Sequence, residues 1–148
     1  MSLHIEEQLR QEGVYVSTTS GFSMWPMLRD RRDRVILRAK GEERLRKWDL
    51  PLYHCPDGRY VLHRIIDVKE GCYVIRGDNT YTKERIPEEW ILGVVTEFYR
   101  GKRHVMTDSR GYRLYAAVWQ GIYPLRYAVV RARGVAGRIK RRIFQKKK

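Results

Sequence analysis

Apolar residues Leu3, Ile5 and Leu9 recur on a loosely helical spacing in a polar background, and Gly13 follows, which predicts a short leading helix over residues 3–12. The pattern then changes to that of strands. Runs at 33–39 (DRVILRA), 50–55 (LPLYHC), 60–68 (YVLHRIIDV), 72–77 (CYVIRG) and 90–100 (WILGVVTEFYR) are rich in Val, Ile and Tyr, which fit a pleated, half-buried surface. Pro56-Asp57-Gly58 is a hairpin signal between strands carrying Tyr53 and Tyr60, and Lys69–Gly71 supplies a second turn. Short strands joined by tight turns predict a mainly β chain of α+β type, with a small coiled antiparallel sheet or barrel. There is no internal repeat or low-complexity linker.

Helical spacing returns near the C-terminus. Leu114, Val118, Ile122, Leu125, Val129, Ala132, Ala136, Ile139 and Ile143 recur three and four apart and make one apolar stripe. Arg126, Arg131, Arg133, Arg138, Lys140, Arg141 and Arg142 surround it, and Pro124 is expected to break or kink the helix near Tyr123. Charge sharpens the division. The chain has 31 Lys and Arg against 17 Asp and Glu, but 12 of the cations fall in residues 109–148, where there is no acid; residues 1–108 hold 19 against 17. The expected organisation is a nearly neutral β domain, 1–108, followed by a basic amphipathic helical tail, 109–148. Such a tail suits the surface of an anionic membrane, with Trp119 and Tyr123 at the interface. Nucleic acid is a weaker partner, because an apolar stripe is wasted on phosphates. In a third arrangement the first half of the tail packs on the body and only the final RIKRRIFQKKK is solvated.

With 148 residues the chain can build one domain with a substantial core. Its two cysteines, Cys55 and Cys72, are too few for a disulfide scaffold and form no zinc pattern with His54 or His63, so they are read as reduced core thiols, and no metal or cofactor is expected. The longest uncharged run in the tail, Leu114–Leu125, has 12 residues, short of the roughly 20 that span a bilayer. The first residues, MSLHIEEQLRQEG, carry acids where a signal peptide has cations, so the expected location is the cytoplasm or the inner face of its membrane.

Chemistry concentrates in the segment SGFSMWPML, residues 20–28, where Ser23 follows a polar run and is crowded by Met24, Trp25, Pro26 and Met27. Taken alone, Ser23 reads as a turn residue. Three further pieces follow in order: Trp48-Asp49 before a strand, His63-Arg64-Ile65, and Gly77-Asp78-Asn79. Together they resemble the type I signal peptidase superfamily, which includes the LexA-like self-cleaving repressors, over residues 15–100. The match is to its Ser–His variant, seen in SipW-like, archaeal and endoplasmic-reticulum forms.

The resemblance implies a serine peptidase with Ser23 as nucleophile and His63 as its base. An imidazole with a pKa near 6.5 is mostly neutral at pH 7 and can take the hydroxyl proton. Asp78 is the third candidate, either orienting the imidazole or simply capping a turn with Asn79. Met24, Trp25 and Pro26 are the candidate substrate pocket. One departure is plain: where signal peptidases carry a hydroxyl residue two positions before the nucleophile, this chain has Gly21, so the oxyanion would rely on backbone N–H groups such as that of Ser23. The expected function is a serine endopeptidase that cuts a peptide or protein substrate held in extended form beside a strand edge. The alternative from another class is a non-catalytic binding module of the same fold that reaches membrane or nucleic acid through its tail.

Overall fold

The computed structural model describes residues 2–145, with side chains for most of them. Helix α1 (Ser2–Glu12) ends where Gly13 takes the left-handed conformation, φ 70°, and donates its N–H to the Leu9 carbonyl at 3.0 Å. Nine strands follow: β1 (Val14–Thr18), β2 (Arg34–Ala39), β3 (Pro51–His54), β4 (Tyr60–Leu62), β5 (Arg64–Lys69), β6 (Cys72–Arg76), β7 (Glu84–Pro87), β8 (Ile91–Arg100) and β9 (Arg103–Met106). A 3₁₀ turn, Glu88–Trp90, leads into β8. Six strands form a curled antiparallel half-barrel in the order β1-β2-β8-β3-β4, with β9 also paired to β8; β5-β6-β7 form a separate three-stranded sheet. The α+β class expected from the strand pattern is the observed one.

The run 60–68 is not one strand. It breaks at His63, where the chain leaves the half-barrel and enters the second sheet. Two cores result. One fills the half-barrel with Leu28, Leu37, Leu50, Val95 and Phe98, and the other sits under the small sheet with Tyr53, Ile65, Tyr73, Ile75 and Ile86. His63 lies at the junction between them. Cys55 and Cys72 are free thiols and half-buried.

The tail forms two helices, α2 (Arg110–Gly121) and α3 (Tyr123–Gln145), separated at Ile122, so the interruption expected at Tyr123 comes one residue early and Pro124 sits in the first turn of α3. Ser109 caps α2 by accepting the Tyr112 N–H on its hydroxyl. Helix α2 is not detached from the β domain. Its buried positions are Tyr112, Ala116 and Gln120, four apart, and Arg113 bridges to Asp49 at 2.7 Å. The described part of the stripe read from the sequence therefore faces the other way: Leu114 and Leu125 are about two-thirds exposed, and Val118, Ile122 and Val129 are exposed as well, while the side chains of Ala136, Ile139 and Ile143 lie outside the described residues. The helix turns polar-tipped aromatics inward because what it packs against is a buried charge pair, described below. The side chains of Lys140, Arg141 and Arg142 lie outside the described residues. Among the described residues no helix is long and apolar enough to cross a membrane.

Candidate active site

Ser23 sits on a loop tied down at both ends. At its start Thr19 donates its hydroxyl to the Arg29 carbonyl at 2.6 Å, and the Gly21 N–H donates to Asp30 Oδ1 at 2.7 Å. At its end the fully buried Asp33 holds Arg29 in a 2.7 Å ion pair. Met24, Met27 and Leu28 anchor the middle by burial in the half-barrel core, each worth on the order of 1.5–3 kcal/mol. The Trp25–Pro26 peptide bond is cis.

A second segment presses against this loop. Asn79 donates its backbone N–H to the Ser23 carbonyl at 2.8 Å and its side-chain amide to the Phe22 carbonyl at 3.2 Å. Gly77 approaches so closely that a Cβ there would lie 2.6 Å from the Ser23 carbonyl oxygen and 3.1 Å from Cδ2 of His63. A glycine is required by that approach. The Gly77-Asp78-Asn79 segment thus braces both Ser23 and His63 from one side.

Ser23 and His63 line the same cavity, of about 540 Å³, together with Ile5, Tyr15, Ser17–Gly21, Met24, Leu28, Leu52 and Tyr60–Leu62 among others. Strands β1 and β4, the two ends of the half-barrel order, both contribute residues to its lining. A second cleft of about 570 Å³, lined by Glu6, Leu9, Arg10, Lys40 and Glu88 among others, holds neither Ser23 nor His63.

The His63 ring is half-buried, with Nδ1 3.3 Å from the Tyr53 hydroxyl. Burial pushes its pKa below the ordinary imidazole value, against the opposing pull of the Glu84 and Asp78 carboxylates, and Arg59 adds to the depression. The ring is therefore neutral at pH 7 and able to accept a proton. Among the described residues no hydrogen bond joins the Ser23 hydroxyl to His63, and the Ser23 backbone N–H donates to no group.

Asp78 takes a different place from the one expected. Fully buried, it binds Arg64 through two hydrogen bonds of 2.7 and 2.8 Å, and its carboxylate also accepts from Gln120 at 3.0 Å and Tyr115 at 3.3 Å. Its backbone carbonyl accepts from Trp119 and Arg126. With the carboxylate so occupied, its hydrogen bonds go to Arg64 and the helices and not to His63, on which it acts only as a nearby charge. Desolvation works against the Arg64 charge, but Asp78 and the phenol oxygens of Tyr112 and Tyr115 outweigh it and hold the guanidinium firmly protonated. Burial pushes the Tyr112 phenol up to about 12.

Two further corrections concern candidate residues. Of the expected pocket residues only Met24 lines the cavity; Trp25 is half exposed and Pro26 lies outside the lining, because the turn over residues 22–28 buries Met24, Met27 and Leu28 and points Trp25 away. Of the tail cations, Arg126 faces inward, bonded to the Asp78 carbonyl and stacked 3.9 Å over the Trp119 ring, while Arg131, Arg133 and Arg138 are exposed. Arg64, Tyr115, Trp119 and Gln120 were not legible as supports of this region, since each is tied in by partners far away in sequence. No protein-family model and no curated protein matches the chain.

Proposed function

We propose that this protein is a serine endopeptidase in which Ser23 attacks the scissile carbonyl and His63 is the base. The observation that carries the proposal is the meeting of Ser23 and His63, 40 positions apart in sequence, on the wall of one cavity between two strands that are paired on one side only. The architecture, a curled β sheet carrying Ser-Met-x-Pro on a loop and His-Arg at a strand start, supports the signal-peptidase and LexA-like reading of the sequence.

The chemistry follows from the groups present. As Ser23 Oγ bonds to the carbonyl carbon, its proton passes to His63 Nε2, the ring nitrogen not engaged by Tyr53. The oxygen of the tetrahedral intermediate gains negative charge, for which the Ser23 N–H, without an acceptor among the described residues, is a candidate donor. His63 returns the proton to the departing amine, and water repeats the sequence to release the acyl group. Strands β1 and β4 stand at the two ends of the sheet order, so a substrate entering extended can add to a sheet edge. The exposed stripe of α2 and α3, with Arg131, Arg133 and Arg138 about it, supports peripheral contact with anionic lipid.

The test is incubation of purified protein with a peptide library, beside Ser23→Ala, and mass spectrometry of the cut bonds. Cleavage by the parent chain and none by Ser23→Ala is the expected result. Equal cutting by both removes the nucleophile assignment; no cutting by either favours the binding-module reading.

A further inference from the structure

If Asp78 is spent on Arg64, something else must hold the imidazole. The group in position is Tyr53. It lies in β3 opposite Val61 of β4, and His63 follows directly where β4 ends at Leu62, which leaves the imidazole beside the Tyr53 hydroxyl. The β3–β8 register slips between Leu52 and Tyr53, a bulge that redirects successive side chains. Leu52 accordingly lines the cavity and its core, while Tyr53 enters the core of the small sheet. There Tyr53 is completely buried, and its hydroxyl has one hydrogen-bond partner among the described residues, His63 Nδ1 at 3.3 Å. A buried phenol needs a partner, and this one has only the imidazole.

We infer that Tyr53 is the positioning residue for His63: its hydroxyl fixes the ring through Nδ1 and leaves Nε2 to serve Ser23. The inference rests on the peptidase reading. For Nε2 to accept the serine proton, Nδ1 must carry the ring hydrogen, so Tyr53 Oη accepts from Nδ1–H already in the neutral ring. When Nε2 takes the serine proton, Nδ1–H of the imidazolium can only donate, and Tyr53 Oη accepts that charge-assisted bond. Unlike a carboxylate, the phenol brings no negative charge of its own; burial raises its pKa, so it stays neutral. The charged groups that act on His63 are Glu84 of β7, Asp78 after β6 and Arg59 before β4, and none of them bonds to Nδ1.

Full-length protein labelled at histidine Cε1 is titrated by NMR as parent and as Tyr53→Phe, with His63→Gln to assign the signal, and both are reacted with a fluorophosphonate. Losing the acceptor disfavours the imidazolium, so in Tyr53→Phe the His63 pKa is expected to fall by about half a unit or more. The labelling rate of Ser23 at pH 7 is expected to drop at least about tenfold. An unchanged His63 titration overturns the role of Tyr53, whatever the rate, because a merely structural tyrosine would alter rate through packing and leave the titration alone. A shifted titration with no labelling of the parent protein overturns the peptidase reading and makes the hydrogen bond a structural one.

Discussion

Replacing Gly77 by alanine isolates the brace behind the site. The backbone at Gly77 does not occupy the left-handed region, so alanine meets no conformational penalty there and only the new methyl matters. That methyl would lie 2.6 Å from the Ser23 carbonyl oxygen, 2.9 Å from Thr80 Cγ2 and 3.1 Å from His63 Cδ2. To reach an ordinary contact of 3.4 Å, the Ser23 backbone and residue 77 must part by 0.8 Å. The 2.8 Å bond from Asn79 to the Ser23 carbonyl opposes that movement. Overpacking of this kind costs about 1–3 kcal/mol of stability. A displacement near 1 Å between reacting groups costs on the order of 10²-fold in rate. Urea unfolding and fluorophosphonate labelling at Ser23 measure the two effects separately. Gly93→Ala is the control, because its methyl would meet the Arg38 carbonyl at an equal 2.6 Å without touching Ser23 or His63. It should lose stability and keep its labelling rate. Gly77→Ala with parental stability and labelling would refute the reasoning, as would equal rate loss in Gly93→Ala.

Four other outcomes are expected. The acid limb of kcat/KM, which reports the free enzyme, should centre below the imidazole reference of about 6.5, because burial depresses His63; a limb above about pH 8 would point to another base. The same depression has a stability consequence: as pH falls through about 6.5 the unfolded chain takes a proton that the folded ring refuses, so unfolding free energy should decline until the folded ring titrates, and His63→Gln should flatten that decline in urea titrations at stepped pH. Asp78→Asn leaves Arg64 as an unmatched buried charge and should cost about 3–5 kcal/mol by urea unfolding, whereas a loss under 1 kcal/mol would deny the pair its role. Truncation after Val130 keeps Arg126 on the Asp78 carbonyl and should spare soluble-peptide cleavage while abolishing flotation with anionic vesicles; truncation before Arg126 should also slow cleavage, and equal flotation with neutral lipid would remove the membrane assignment.

The long strands were legible because their Val, Ile and Tyr content and their Gly-containing turns agree; β2, β3, β6 and β8 lie within the expected runs. The missed strands share a cause. β1 ends in Ser17 and Thr18, β7 (Glu84–Pro87) carries two charges and a proline, and β9 is basic, so each is held by neighbours more than by its own pattern. The break at His63 carries no Gly or Pro to mark it; only the adjacent polar pair His63-Arg64 interrupts the apolar residues there. The tail misled in an instructive way. Its apolar stripe was correctly spaced, but binary patterning assumes an apolar partner, and here the surface to be covered is the Arg64–Asp78 pair. Tyr112, Tyr115, Trp119 and Gln120 satisfy that pair with polar tips, and the leucines and valines are left facing out. Ser23 and His63 were singled out by motif, and the fold sets both on one cavity wall; Tyr53 carried no motif, because only the folded chain brings β3 beside the imidazole.

The central claim is that Ser23 is a nucleophile activated by His63. Reaction of the full chain with a fluorophosphonate at pH 7, followed by peptide mass spectrometry, tests it most directly, with Ser23→Ala and His63→Ala in parallel. The account predicts one adduct, on Ser23, absent from Ser23→Ala and formed at least about 10²-fold more slowly in His63→Ala. An unmodified Ser23, or an adduct that forms as fast without His63, would contradict it.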